Sequence, residues 1–241
     1  MSDNAVDEAL RRARVLTFDC YGTLVDWRAG LTAALDDLFG PLPRERMNEI
    51  FTAYLTTEAL VESGSYRSYR EVLSTVLSEL AWQFDLDIPS DAQGESADRR
   101  DALAESLPSW PIFEDTTESL HRLQRRYRLG VLSNVDRDLF AETQRRIGVT
   151  FDFVVTAQDV RSYKPAHAHF RDADAGLPRY AEAHEVLHVA QSLFHDGAAA
   201  RELNLAYVWI NRYNQENDTD VAPLATFPDL RSLADRLVGA R

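Results

Sequence analysis

A chain of 241 residues, 45% hydrophobic and 27% charged, has the composition of an ordinary globular protein and is long enough to bury a substantial core. Its formal net charge of -13, from 39 acids against 26 Lys and Arg, opposes nonspecific attachment to nucleic acid or an anionic membrane. Cys20 is the single cysteine, so no intramolecular disulfide forms. No apolar run approaches the ~18 residues of a membrane span. The polar start MSDNAVDEALRRAR lacks the apolar stretch of a secretory leader. The expectation is a cytoplasmic protein with neither nucleic acid nor membrane as partner.

Short β-rich runs occur at Val15–Phe18, Leu129–Leu132, Phe151–Thr156, Val186–Ala190 and Ala206–Ile210. Helical patterns at Thr116–Tyr127, Arg137–Ile147, His167–Ala175 and Gly197–Asn204 alternate with the later runs. This alternation predicts an α/β fold, a parallel sheet covered by helices. The interval from Arg28 to Pro111 differs. Its segments LTAALDDLF, RMNEIFTAYLTTEALVES and YREVLSTVLSELAWQF repeat apolar residues every three or four positions, and no β-rich run interrupts them. They predict a helical insertion, with residues 89–101 as a loop inside it.

In open α/β sheets, ligands bind beyond the carboxyl ends of the strands. That rule selects Asp19, Ser133 with Asn134, the stretch from Asp159 to Lys164, and the stretch from Gln191 to Asp196. Read singly, each has an ordinary explanation: a turn-capping Asp, a solvated Lys, a Ser-Asn turn, or an N-cap for the helix near Gly197.

Together they carry more. FDCYGTL (18–24), VLSNVD (131–136), SYKP (162–165) and HVAQSLFHD (188–196) resemble, in order, the four motifs of the haloacid dehalogenase superfamily. The form D-x-Y-G-T-L resembles its L-2-haloacid dehalogenase branch. The resemblance covers nearly the whole chain. It implies a Rossmann-like core of residues 12–27 and 112–241 and a helical cap of residues 28–111. It also implies a homodimer, a small carboxylic acid as substrate, and neither metal nor cofactor.

By that resemblance Asp19 is the nucleophile, forming a covalent ester that water hydrolyses. Lys164 supplies fixed positive charge, and Asp196 partners the lysine and the hydrolytic water. Thr23 holds the nucleophile's loop, while Ser133 and Asn134 offer donors to a substrate carboxylate. Phosphotransferases of the superfamily carry a second Asp where Tyr21 stands; it protonates the leaving oxygen. A phenol of pKa about 10 replaces it poorly near neutrality, but a halide needs no proton. Tyr21 and Trp27 are then expected to line the pocket.

Two departures stand out. In well-known L-2-haloacid dehalogenases motif four reads Ser-x-Asn-x-x-Asp; here Gln191 and Leu193 hold the Ser and Asn positions. Gln191, Ser192 or His195 would place the water, with His195 either a general base or a packing residue. The halide-receiving cap arginine also has no clear counterpart: Glu58 and Glu62 fall on the expected pocket-facing helix, with Arg67 and Arg70 nearby. An acid there suits a positively charged substrate. The alternatives are ring opening of a cyclic amino acid, as in azetidine-2-carboxylate hydrolases, a Mg²⁺-dependent phosphatase, or a noncatalytic binder of small acids. Trp82, Trp110 and Trp209 are expected as core or hinge residues, and Cys20 as a small buried strand-end residue.

Overall fold

Four consecutive apolar or β-branched residues, Val15–Phe18, are buried on both faces in the computed structural model, which describes residues 3–89, 99–176 and 183–239. Continuous runs of this kind suit the interior of a parallel sheet with helices on both sides. In chain order, α1 (Asp3–Arg12) leads into β1 (Val15–Phe18). Then come α2 (Trp27–Phe39), α3 (Arg44–Glu62), α4 (Tyr69–Gln83) and the short α5 (Ala102–Ser106). The chain continues through α6 (Thr116–Leu123), β2 (Arg128–Ser133), α7 (Arg137–Ile147), β3 (Phe153–Thr156), α8 (Ala157–Val160) and α9 (Ala168–Gly176). It ends with β4 (Val186–Ala190), α10 (Ala198–Glu202), β5 (Ala206–Ile210), β6 (Ala225–Phe227) and α11 (Leu230–Val238).

All pairings are parallel, in the order β3-β2-β1-β4-β5-β6. The chain winds outward from β1 to β3 and then returns to lay β4 on the other side of β1. That reversal opens a crevice beyond the carboxyl ends of β1 and β4. Among the described residues no helix is long and apolar enough to cross a membrane.

The α/β class and five strands agree with expectation, while α1, β6 and α11 were not anticipated from the pattern. Two boundaries moved for identifiable reasons. The Asp152 carboxylate accepts from the Leu129 amide (2.9 Å), so β3 joins β2 only at Phe153. The helix starting at Thr116 ends early because Arg128 must already donate to Arg14 and open β2. A Cβ at Gly130 would stand 2.2 Å from the Phe153 ring, so a larger residue there requires that ring to shift.

Between β1 and β2 the described residues from 27 to 109 form helices and turns only. The chain enters and leaves this segment side by side, with Asp26 donating to Pro111 (2.8 Å) and Phe113 to Leu24 (3.1 Å). On α3 the buried residues Met47, Ile50, Tyr54 and Glu58 recur every three or four positions, so Glu58 sits on the apolar stripe. Ser68 and Glu71 form a capping box at the start of α4. Asp136, beyond β2, adds a second cap, accepting from the Tyr69 and Arg70 amides at 3.0 Å each. Most of the expected loop 89–101 lies outside the described residues. Trp110 and Trp209 are buried as expected; Trp82 is not, being 82% exposed on the outer face of α4.

Buried Asp115 holds three partners: Arg212 (2.8 Å) and the Leu230 and Arg231 amides that open α11. Asp115→Ala strands the Arg212 charge and leaves the Leu230 and Arg231 amides without this acceptor. Urea unfolding should show a loss of about 3–5 kcal/mol, with a smaller loss for Asp115→Asn.

Candidate active site

Asp19 follows β1 directly, and its amide donates to Val189 (3.1 Å), extending the ladder onto β4 by one residue. Gly22, at φ 101°, then reverses the chain, a conformation open chiefly to glycine. The reversal brings the Thr23 hydroxyl to Asp19 Oδ2 (2.8 Å), while the Gln191 amide donates to the same hydroxyl (2.9 Å). Thr23 thus ties the loop after β1 to the loop after β4. Arg212 fixes it from behind by donating to the Thr23 carbonyl (2.9 Å).

Lys164 is 1% exposed, and its ammonium donates to Asp19 Oδ1 (3.0 Å), Asp196 Oδ1 (2.6 Å) and the Leu132 carbonyl (2.8 Å). An ammonium has three protons, and all three are engaged. Burial alone would lower the lysine's pKa; the Asp19 and Asp196 charges reverse that and push it to about 12. Asp196 lies fully buried in a π-turn, Leu193–Gly197, rather than capping the helix after it. Ser192 caps the π-turn itself by accepting from the His195 amide (2.9 Å). Burial disfavours the ionised Asp196, but the Lys164 charge and the hydrogen bond from His188 outweigh it and hold the carboxyl well below its usual range.

His188 was not anticipated in this site. It sits in β4, with Nε2 2.8 Å from Asp196 Oδ1 and Nδ1 2.9 Å from the Thr17 hydroxyl on β1. A carboxylate only accepts, so Nε2 carries the proton. The available signal was a lone imidazole inside the otherwise apolar run VLHVA. Asp196 Oδ2 has no protein partner.

Asn134 accepts from the Lys164 amide (2.7 Å) and donates to the Lys164 carbonyl (3.1 Å), so its amide positions the lysine backbone. It also reaches Glu62 (3.3 Å), at the end of α3. Ser133 is fully buried, with its hydroxyl unpartnered. Neither residue lines the neighbouring cavity. Glu62 in turn faces His195 (Nε2 to Oε2, 3.6 Å). Burial pushes Glu62 up to about 7, against the opposing pull of His195. For His195 burial acts downward, but Glu62 overrides it and raises the imidazole.

A cavity of about 480 Å³ opens over the loops after β1 and β4, against α2 and α3. Tyr21, Trp27, Gln191 and His195 line it; Asp19, Lys164 and Asp196 are not among its walls. Tyr21 presents its ring but directs its hydroxyl to Thr143 (2.9 Å), and burial pushes that phenol well above its usual pKa. Trp27 stacks on Tyr54 at 5.8 Å. Glu58 also lines the cavity and accepts from the Tyr54 and Tyr69 hydroxyls, both at 2.7 Å. Arg67 and Arg70 do not reach it; Arg70 pairs outside with Asp138 (2.6 Å). The cavity's arginine is Arg28, one residue after Trp27, which the sequence reading passed over.

The ammonium of Lys164 lies between Asp19 and Asp196 and donates to both. Among the described residues no three His, Cys, Asp or Glu side chains converge to hold a metal. The donors as arranged do not fit a carboxylate-rich cation site.

At the switch point of the parallel α/β core, two carboxylates thus meet one buried ammonium. Residues 13–204 match the family model described as haloacid dehalogenase-like hydrolase, and the chain belongs to that family. Haloacid dehalogenase-like hydrolase domain-containing protein 3 of Danio rerio is 31% identical over 135 residues, 54% of either chain, so the match spans about half of that curated relative. An L-2-haloacid dehalogenase from Xanthobacter autotrophicus with chloropropionic acid covalently bound superposes with a TM-score of 0.78 at 18% identity, covering 95% of this chain and 100% of that one. The HAD-hydrolase YfnB from Bacillus subtilis bound to magnesium gives 0.77 at 22%, covering 94% and 99%. At such identities the likeness establishes the fold.

Glu62 and His195 both bind protons more tightly when folded. Their stabilisation is therefore complete at low pH and is lost as pH rises, for Glu62 from its ordinary 4.5 through about 7. Urea midpoints should fall between about pH 5 and about pH 8, and Glu62→Gln should remove most of that fall. An unchanged slope in the variant would place the proton elsewhere.

Proposed function

We propose that the protein hydrolyses a bond at C2 of a small 2-substituted carboxylic acid, with a halide as the leaving group, by attack of Asp19. The observation that carries this is the pairing of Asp19, oriented by Thr23 and Lys164, with Tyr21 in place of a leaving-group acid. The Tyr21 hydroxyl is turned to Thr143 and its pKa is raised, so the site suits a group that departs without a proton. Asp19 Oδ2 or Oδ1 attacks carbon, the C–halogen bond breaks with its electron pair on the halide, and an aspartyl ester remains. Water then attacks the ester carbonyl carbon, which restores the Asp19 carboxylate and frees the 2-hydroxyacid.

The roles in the second step follow from the charges. Asp196 Oδ2 is a buried free acceptor that orients the water, but its depressed pKa makes it a weak proton sink. His195, on the same loop and backed by Glu62, binds a proton more tightly than a free imidazole and suits the receipt of the proton. Lys164 stabilises negative charge on the acyl oxygen. No step calls on a metal.

A second reading has one observation in its favour. Buried Glu58 on the cavity wall would recognise a protonated amine, which fits ring opening of a cyclic amino acid by the same nucleophile.

The test is halide release from chloroacetate, fluoroacetate and both 2-chloropropionate enantiomers with EDTA present. Release should survive EDTA and fall on the order of 10⁴-fold in Asp19→Asn. A single turnover in ¹⁸O-water should label the Asp19 carboxylate rather than the product. Label appearing first in the product would reject the ester, and turnover of azetidine-2-carboxylate alone would favour the second reading.

A further inference from the structure

The cavity contains a cation that the chemistry above does not use. Arg28 stands in the first turn of α2 with its guanidinium carbon 4.2 Å from the centre of the Tyr213 ring and 5.5 Å from that of Trp27. Two aromatic faces hold the planar group in place. Among the described residues it forms no ion pair, and its Nε is buried without a hydrogen-bond partner. A buried donor left unsatisfied is costly, and a ligand oxygen would relieve it. Of the charged side chains on the cavity wall, Arg28 is the permanent cation; Glu58, Glu216 and Asp218 are acids.

We infer that Arg28 is the anchor for the substrate's carboxylate, and that the surrounding acids limit the ligand to a single negative charge. The inference rests on the reading of a small carboxylic acid as substrate and names the residue that selects it. The groups beyond β2 are less suited to the role: Asn134 is committed to the Lys164 backbone, and Ser133 is fully buried and carries no charge. A guanidinium offers two parallel N–H groups to the two oxygens of a carboxylate, a geometry that a lysine ammonium lacks. His195 shares the wall with Arg28 and the three acids, so each ligand charge beyond the one that Arg28 pairs with meets added repulsion from Glu58, Glu216 and Asp218. A phosphate ester, with up to two charges, would meet net repulsion.

Trp27 and Trp110 both line the cavity, so their fluorescence reports ligand binding without turnover. Titrations with propionate, propionamide and inorganic phosphate would be run on wild type, Arg28→Met and Arg28→Lys, with urea midpoints confirming that each variant folds. Wild type should bind propionate at least about tenfold more tightly than propionamide or phosphate. Arg28→Met should lose that preference, and Arg28→Lys should retain an intermediate part of it. If Arg28→Met does not fold, the loss in Arg28→Lys carries the same information. Equal propionate affinity in wild type and the variants would overturn the assignment, as would wild-type binding of propionamide as tight as that of propionate. Arg28-dependent propionate binding without halide release from any haloacid would uphold the anchor and reject the leaving group proposed above.

Discussion

The site depends on one buried ammonium shared by two carboxylates. Taking Lys164 and its partners out of water costs several kcal/mol per ion, and the arrangement holds only because every proton on the ammonium meets an oxygen. The constraint reaches outward. Asn134 must grip both polar groups of the Lys164 backbone so that the side chain arrives at the right depth. His188 must stand inside a strand of apolar residues, because Asp196 needs a donor from that side, and Thr17 on the neighbouring strand supports the imidazole in turn. Strand ends and strand interiors thus serve the same three charges.

The helices inserted after β1 are joined to the sheet through the same residues. Asn134 touches Glu62, Glu62 faces His195, and Asp136 from the motif beyond β2 caps α4. Tyr163, beside Lys164, donates to the Arg67 carbonyl just before α4 (2.8 Å). A displacement of the helical segment would therefore be felt at Lys164 and His195 without any direct contact to Asp19. The Glu62–His195 pair sits at this joint, where each residue shifts the proton affinity of the other.

The cavity is mostly aromatic, and its charges are unequally placed. Glu58 is held by two tyrosine hydroxyls, whereas Arg28 is held by ring faces and its Nε has no hydrogen-bond partner. That difference separates charges that shape the wall from the charge that suits a ligand.

Much of this was legible in the chain itself. Apolar runs ending at Asp19, Ser133 and Ala190 implied strands whose carboxyl ends converge, and the order of motifs implied which side chains would meet. The helical insertion was readable because its apolar residues recur at helical intervals. Sequence also placed Glu58 and Glu62 on the expected pocket-facing helix. What it did not show were contacts between residues far apart in the chain. His188 had no part in the expected site until β4 lay beside β1, and Arg28 was passed over until Tyr213, 185 positions later, came beneath it. β6 was missed because three half-exposed residues carry little local pattern, whereas α11 was passed over although Leu230, Leu233, Ala234 and Leu237 recur at helical spacing; both are held by partners from elsewhere, β5 and Asp115. Periodicity within a segment is set by its own side chains. Burial of a charge, and the partner that makes the burial tolerable, is set only when distant segments pack.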